Sequence, residues 1–185
     1  ANYITISDCI VTRSSGKPGY GIEILGSGLN RADIKNCIVY GSFSRGICRY
    51  NDGSGLVLYV TNCTVIGGTT AGIADLQGSS LVAVNCAVIN TADDFAGTGM
   101  TISYCASDDA DGDHAVDLAD SAASWDAQFA DYDATKPDVR LVGNSLLLMT
   151  GIGPASDANV PTTDIAGNPR AGTRSSIGAF HKGTT

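Results

Sequence analysis

The chain repeats one six-residue stretch about five times, and this repeat constrains the fold more than any other feature. The stretch reads Val-Thr-Asn-Cys-Thr-Val at 60–65, and the other copies lie at 6–11, 34–39, 83–88 and, in degraded form, 102–107. The spacing between successive copies falls from 28 residues to 19 along the chain. Recurrence every few tens of residues is typical of a solenoid, in which each repeat packs on its neighbours.

Apolar and polar residues alternate within each copy. The apolar column two positions before the turn residue consists of Ile6, Ile34, Val60, Ala83 and Ile102. The position that follows it, Thr61 in the third copy, is mostly polar. Alternation with period two is the mark of a strand with one buried face. We therefore expect the apolar column to face inward, Thr61 to face solvent, and the chain to form a parallel β-helix of about five coils.

A turn residue follows this strand in each copy. It is Asp8, Asn36, Asn62 or Asn85, and Tyr104 in the degraded copy. Asn and Asp tolerate the left-handed backbone region better than other residues with a side chain. The column therefore predicts a turn between two strands of the same coil.

The cysteine after each turn predicts a column of free thiols inside the helix. Stacked coils lie about 4.8 Å apart, which would align Cys9, Cys37, Cys63, Cys86 and Cys105. A continuous column is better explained by reduced thiols packed as core than by disulfides. The sequence has no Cys-x-x-Cys and no zinc-finger spacing. This pattern does not determine the environment of Cys48.

A second ladder consists of Gly-Ile pairs at 21–22, 46–47 and 72–73, and predicts the next strand of each coil. Breaker-rich loops at 13–19, 51–55 and 78–80 would form the remaining corners. Residues 1–107 thus form the coils, and residues 108–185 an acidic loop, a short helix and a C-terminal cap packed on the same domain. We expect the helix at 121–132, with Ser121 as N-cap and with Trp125 and Phe129 on one face, to plug the open end of the bore.

The acidic loop gives a weak calcium candidate. Asp109, Asp111 and Asp113 follow the D-x-D-x-D spacing of a calcium loop, with Asp117 further on. The sixth place holds His114 instead of Gly, and the twelfth holds Asp120 instead of Glu. We therefore expect a solvated acidic loop and no cofactor.

Charge and motif content argue against several function classes. The formal net charge of −8 at pH 7 disfavours binding to nucleic acid or to an acidic membrane surface. No apolar run approaches the roughly 20 residues of a transmembrane helix. The charged residues expected on the outer face are scattered singly: Glu23, Asp33, Lys35, Arg49 and Asp75. Asp93-Asp94 is the nearest approach to a pair, and neither His114 nor His181 has an evident Ser or Cys partner. We expect no enzymatic activity, and at most a surface ion pair between Arg49 and Asp75.

The C-terminal segment carries a family resemblance. Residues 164–170 read Asp-Ile-Ala-Gly-Asn-Pro-Arg and residues 176–181 read Ser-Ile-Gly-Ala-Phe-His, with Phe-Ala-Asp at 129–131 and Asp-Val-Arg-Leu at 138–141 ahead of them. This resembles the closing segment of right-handed parallel β-helix proteins of the pectate-lyase-like group. The resemblance implies an all-β, right-handed parallel β-helix with an irregular C-terminal capping segment. Ser176 and His181 stand where acidic residues are usual, which leaves Asp164 as the candidate partner of Arg170.

The group includes polysaccharide lyases and hydrolases, phage tailspikes, adhesins and structural virion proteins, so the fold alone does not give the function. The first strand begins at Tyr3 with no capping helix ahead of it, and its edge needs cover from a neighbouring copy, another chain or a preceding segment. We therefore expect a non-enzymatic structural protein of the phage virion, of the capsid decoration (cement) type, on the capsid surface. The expected partners are two further copies in a homotrimer and the major capsid protein or another virion protein, with no nucleic acid and no membrane. The expected interface residues are Tyr3, Ile4, Thr5, Tyr40, Val57 and Tyr59.

The alternative is a fragment of a secreted polysaccharide-binding or polysaccharide-degrading β-helix protein. Upstream coding sequence would discriminate between the two. A start codon just before Ala1 favours the virion protein, and further coils or a signal peptide favour the secreted one.

Overall fold

The chain winds into three parallel sheets that enclose one bore. The computed structural model describes residues 2–13, 19–25, 28–50, 55–76, 78, 80–119, 121–132 and 135–182. Sheet A contains β1 (Tyr3–Ser7), β4 (Arg31–Lys35), β7 (Val57–Thr61), β10 (Leu81–Val84) and β13 (Thr101–Ser103). Sheet B contains β2 (Ile10–Arg13), β5 (Ile38–Gly41), β8 (Thr64–Ile66), β11 (Ala87–Ile89), β14 (Ala106–Ser107) and β15 (Val116–Asp117). Sheet C contains β3 (Tyr20–Leu25), β6 (Arg45–Tyr50), β9 (Ala71–Asp75) and β12 (Phe95–Ala96).

The register of sheet A follows the repeat in the sequence. Ile6 pairs with Ile34, Ile34 with Val60, Val60 with Ala83, and Ala83 with Ile102. The predicted all-β parallel β-helix is therefore confirmed. Three coils have strands of three or more residues in every sheet, a fourth ends in the two-residue β12, and a fifth contributes only β13 and β14. The number of complete coils is thus smaller than the five or so expected, because the later coils shorten.

Left-handed turns join sheet A to sheet B in every coil. The turn residues Asp8, Asn36, Asn62, Asn85 and Tyr104 have φ between 52° and 56°. The turn prediction is confirmed in all five copies, including the Tyr104 copy, where a bulky side chain adopts a conformation that normally costs about 1–2 kcal/mol.

Glycine brings sheet C against sheet B inside the bore. A Cβ added to Gly21, Gly46 or Gly72 would overlap the side chain of the valine that faces it. These valines are Val39, Val65 and Val88, the inward residues of sheet B. The Gly-Ile ladder in the sequence therefore reflects close packing between two sheets.

The predicted thiol column is present. All six cysteines are free, and Cys37, Cys63, Cys86 and Cys105 are fully buried. The thiols of Cys63 and Cys86 point at carbonyl oxygens of the coil before, at 3.6 Å from Ile34 O and 3.4 Å from Val60 O. Cys9, in the first coil, is only half-buried. Cys48 is buried in β6, and desolvation raises the pKa of its thiol to about 11.

After β15 has extended sheet B, residues 121–132 and 135–182 supply side chains that pack on the outer face of that sheet, outside the core of the bore. This segment contains α1 (Ala122–Asp126), the antiparallel pair β16 (Phe129–Asp131) and β17 (Asp138–Leu141), and the antiparallel pair β18 (Gly151–Ile152) and β19 (Arg174–Ser175). A second core forms between it and sheet B, with members that include Ile38, Ile66, Ile89, Trp125, Phe129 and Leu147.

The helix prediction needs correction in its length and position. Ser121 is the N-cap, as expected, and its Oγ accepts a hydrogen bond from the backbone N–H of Ser124. The helix ends at Asp126, so Phe129 lies in β16 instead of in the helix. Trp125 and Phe129 both pack in the second core, and the helix therefore covers the side of sheet B and does not plug the bore.

The tail lies along the column of turn asparagines. The Nδ2 groups of Asn36, Asn62 and Asn85 donate to tail carbonyl oxygens of Thr163, Ser176 and Ile152, at 2.8, 3.1 and 2.7 Å. Thr61 also lies under the tail, where its Oγ1 donates to Asn159 O at 3.4 Å. Thr61 faces outward but is fully buried, so its predicted exposure was wrong.

Arg49 and Asp75 are not surface residues. They pair across β6 and β9 in the row of Ile24, whose side chain belongs to the bore. Arg49 Nη1 lies 2.7 Å from Asp75 Oδ1, Arg49 Nε donates to Leu56 O, and Ser80 N donates to Asp75 Oδ2. The predicted ladder ion pair exists, but it is buried.

Parts of the predicted corners, residues 14–18, 51–54 and 79, lie outside the described residues, as does Asp120. Within the described ranges, no helix has the length and apolar character needed to cross a bilayer.

Candidate functional site

Among the described strands, the three strands of the first coil each have one edge without a partner strand. β1, β2 and β3 are the terminal strands of sheets A, B and C at the same end of the helix. Half of the backbone N–H and C=O groups of an edge strand have no partner strand to bond, so the edge can pair with another chain. The inward residues Ile6, Cys9 and Val11, which β1, its turn and β2 contribute, are only half-buried, whereas Ile22 and Ile24 of β3 are buried.

Exposed apolar side chains concentrate in the same coil. Of the seven exposed large hydrophobic residues in the described part of the chain, five belong to the first coil: Tyr3, Ile4, Ile10, Tyr20 and Leu25. Leu25 and Ile10 are 60% and 63% exposed. A concentration of exposed apolar side chains of this kind is typical of a protein interface.

A network of charged and aromatic side chains adjoins the first coil on the outer face of sheet A. Tyr3, Arg31 and Val57 form one row across the sheet, and Thr5, Asp33 and Tyr59 the next. Asp33, fully buried, accepts hydrogen bonds from Arg31 Nε at 2.8 Å and from Tyr3 Oη at 3.0 Å, and it lies 3.3 Å from Lys35 Nζ. The Arg31 guanidinium also lies over the ring of Tyr59.

The pKa of Asp33 reflects this network. Burial alone would raise the pKa of its carboxyl, but hydrogen bonds from Arg31 and Tyr3 and the charge of Lys35 outweigh burial and lower it. The network therefore stays charged at neutral pH and holds the Tyr3 side chain in place on β1.

The structure brings together most, but not all, of the predicted interface residues. Tyr3, Ile4 and Thr5 are exposed on the first strand, and Val57 and Tyr59 are half-buried on the same sheet. Tyr40 packs against the second core on sheet B and lies on another side of the helix. The sequence interpretation missed Ile10 and Leu25, although alternation places both outward in the first coil.

The acidic residues converge in a different set from the predicted calcium loop. Carboxylate oxygens of Asp94, Asp108 and Asp109 lie within 4.8 Å of one another. Asp113, a member of the predicted set, instead lies 3.0 Å from the imidazole Nδ1 of His114. Asp111 contacts the cluster through Asp109.

Burial changes the protonation of this cluster. Asp94 is buried, and desolvation raises the pKa of its carboxyl to about 7, although hydrogen bonds from Thr91 Oγ1 and the backbone N–H of Asp108 oppose the shift. Desolvation, together with the neighbouring Asp109, also raises the pKa of Asp111 to about 7. Ca²⁺ takes six to eight oxygen ligands, so three carboxylates alone do not complete a calcium shell.

Buried hydrogen bonds connect the two C-terminal segments that carry the family resemblance, residues 164–170 and 176–181. Arg170 Nη2 donates to Ala179 O at 2.9 Å and to Gly178 O at 3.1 Å. Asp164, the expected partner of Arg170, instead accepts from the backbone N–H groups of Ala166, Asn168 and His181. No ion pair joins Arg170 to Asp164 within the described residues. Burial lowers the pKa of Arg170 to about 10, although the charge of Asp164 opposes this.

A shallow cavity of about 470 Å³ adjoins the last turn of the asparagine column. Its lining includes Tyr104, His114 and Met149, which all have left-handed backbone conformations. The rings of Tyr104 and His114 stack at 4.4 Å, and the exposed Arg174 lies at the rim. Strained residues of this kind cluster at ligand sites more often than elsewhere.

The comparisons with known proteins give a family and no relatives. Residues 1–125 match the family model described as "Right handed beta helix region". This match covers the coils, the acidic loop and most of α1. No curated protein and no solved structure matches the chain.

Proposed function

The chain belongs to the family of right-handed β-helix proteins, and we propose that it is a non-enzymatic structural protein that acts by binding through its first coil. The observation that carries the proposal is the concentration of exposed apolar side chains on three unpaired strand edges at one end of the helix. Burial of apolar surface and pairing of edge strands both favour association.

The more specific form of the proposal is a phage capsid decoration (cement) protein on the virion surface. It rests on the resemblance to the pectate-lyase-like group, which includes structural virion proteins, and on the scattered charged residues, which form no evident catalytic cluster. The protein is a homotrimer whose copies contact each other through the face of sheet A that carries Tyr3, Val57 and Tyr59. The other two strands of the first coil, which carry Ile10 and Leu25 on their outer faces, dock on the major capsid protein or another virion protein.

Two surfaces are needed because the exposed residues point in different directions. Tyr3 lies on sheet A, Ile10 on sheet B and Leu25 on sheet C. Neighbours packed side by side about a common axis would cover one sheet of each copy. The end of the bore and the other two edges would still need cover, which we assign to a second partner.

Light scattering on the purified protein tests the trimer. The expected mass is three times the 18.9 kDa of the chain. Tyr3→Lys should reduce the measured mass, because assembly would then bury an unpaired ammonium group in the interface between copies. A stable monomer at micromolar concentration would rule out the trimer.

A matched pair of leucine substitutions tests whether the first coil docks on the virion partner. Leu25→Lys and Leu146→Lys place the same charge at positions of similar exposure, 60% and 56%, but only Leu25 lies in the first coil. Leu25→Lys should abolish attachment to the partner particle, and Leu146→Lys should leave it unchanged. Equal effects of the two substitutions would exclude the first coil as the docking surface.

A polysaccharide-binding protein is the second candidate, and the stacked Tyr104 and His114 rings favour it. A flat aromatic surface beside Arg174 suits a sugar ring, which has an apolar face and hydroxyl edges. Tyr104→Asn is the test, since Asn suits the left-handed turn better than Tyr and the fold should be retained. Loss of binding to an oligosaccharide panel would support this candidate, and absence of binding by the unmodified protein would dismiss it.

A further inference from the structure

A second cavity lies in the cap, between β17 and the end of the tail. Its volume is about 520 Å³, within the range of small-molecule sites. Its lining combines the apolar side chains of Leu141, Val142 and Phe180 with the polar side chains of Arg140, His181 and Lys182. None of its lining residues belongs to the first coil.

His181 lines this cavity, and its neutral imidazole has one hydrogen-bond donor. Its Nδ1 accepts from the backbone N–H of Ser176 at 3.3 Å, so the neutral ring carries its proton on Nε2. Burial, and then the charge of Arg170, lower the pKa of His181, although Asp164 opposes this. The ring is therefore neutral at pH 7, and the Nε2–H group is the donor left for a ligand.

The charge of the lining is opposite to that of the whole protein. The chain has 19 acidic and 11 basic residues, yet the lining includes Arg140 and Lys182 and no Asp or Glu. The carboxylate of Asp138 neutralises the positive charge of Arg140, with Asp138 Oδ1 2.8 Å from Arg140 Nε. Lys182 is exposed and has no carboxylate within ion-pair distance among the described residues. Arg170, behind His181, is bonded to carbonyl oxygens and adds positive charge to this region.

We propose that this cavity binds a small molecule that has one carboxylate and an apolar body. Lys182 pairs with the carboxylate, and the Nε2–H group of His181 donates to it. The apolar body packs on Leu141 and Phe180. The cavity binds an anion more tightly than a neutral analogue because the ammonium group of Lys182 attracts the carboxylate. The apolar lining contributes equally to the binding of both molecules.

Proton NMR titration with benzoate tests the site, and benzamide is the neutral control of the same shape. The chain has two histidines, and only His181 lines the cavity. Benzoate should shift the His181 ring resonances saturably and leave those of His114 unchanged, and benzamide should bind at least about ten-fold more weakly, the loss typical of one charge-assisted hydrogen bond.

Two lysine variants complete the test. Lys182→Gln should weaken benzoate binding about ten-fold, and Lys136→Gln, at an exposed position outside the lining, should not change it. Equal binding of benzoate and benzamide, no saturable shift of His181, or equal affinity of the two variants would each overturn the proposal.

Discussion

At the scale of single residues, the turn asparagines both reverse the chain and hold the tail. Their left-handed conformation could be predicted, because Asn and Asp are the side chains that adopt it at low cost. Their hydrogen bonds to Thr163, Ser176 and Ile152 could not be predicted, since the acceptors are backbone carbonyls 67 to 127 residues away. No sequence pattern marks a carbonyl as a partner.

Substitutions of Asn62 distinguish its role in the left-handed turn from its role in binding the tail. Asn62→Ala adds left-handed strain and removes the bond to Ser176 O, and we expect a loss of about 2–4 kcal/mol in the free energy of unfolding. Asn62→Gly removes the same bond without the strain, and the expected loss is about 1–2 kcal/mol. Urea denaturation measures both. If Asn62→Gly is as stable as the unmodified protein, the bond to the tail contributes nothing.

At the scale of elements, the contact between sheets B and C explains the Gly-Ile ladder. The sequence showed the repeat, but periodicity alone does not reveal that glycine is required where a valine from another strand approaches. Gly72 is the tightest case, because an added Cβ would overlap Val88 Cγ1.

Gly72→Ala should therefore destabilise the fold by about 1–3 kcal/mol through overpacking. Val88→Ala removes the overlapping methyl group, so the double variant should lose less than the sum of the two single losses, by at least about 1 kcal/mol. Thermal or urea unfolding of the three variants gives the coupling. Strict additivity would mean that the two residues do not compete for the same space.

The acidic cluster contains residues from two loops that are distant in the sequence. The D-x-D spacing placed the predicted ligands in one loop, whereas Asp94 and Asp108 come from successive coils at the same corner of the helix. Stacking of coils, not spacing within a loop, brings them together. The pKa of Asp94 and of Asp111 is about 7, well above the value of about 4 in the unfolded chain.

The folded protein therefore holds protons that the unfolded chain releases, and its stability should fall as pH rises from about 4 to 7. Asp108→Asn replaces a repelling charge beside Asp94 with an amide that can donate to it. The melting temperature at pH 8 should rise, and the loss of stability between pH 5 and 8 should become smaller. Asp117→Asn, at an exposed position outside the cluster, is the control. An unchanged pH profile in Asp108→Asn would contradict the coupling.

At the scale of the whole molecule, the alternation of residues predicted the bore but not the cover on its outside. Period two separates two faces of a strand and does not say which outward residues meet another segment. The exposure of Thr61 was misjudged for this reason, and Tyr40 packs against the second core. A signal was present in sheet B, where Ile38, Ile66 and Ile89 face outward beside the inward valines. Strands that are apolar on both faces are typical of sheets covered on both sides.

The accessibility of the thiols to an alkylating reagent shows which parts of the bore are covered. Of the six cysteines, only Cys9 is not fully buried, so a native sample with its first coil uncovered should take up one alkyl group per chain. Desolvation and the nearby Cys37 and Asp8 raise the pKa of Cys9, so labelling should accelerate as pH rises. Intact mass before and after denaturation counts the groups. Two or more groups on the native chain would mean that the thiol column is accessible.

Hydrogen–deuterium exchange along residues 3–11 tests the central claim, that the first coil is a covered binding surface in the working protein. In the assembled protein, the amides of β1 and β2 should exchange about as slowly as those of β4 and β5, because a neighbour pairs with or shields the edge. Tyr3→Lys should make residues 3–11 exchange rapidly while β4 and β5 remain protected. Rapid exchange along residues 3–11 in the unmodified protein, at concentrations where it is a stable monomer, would contradict the account.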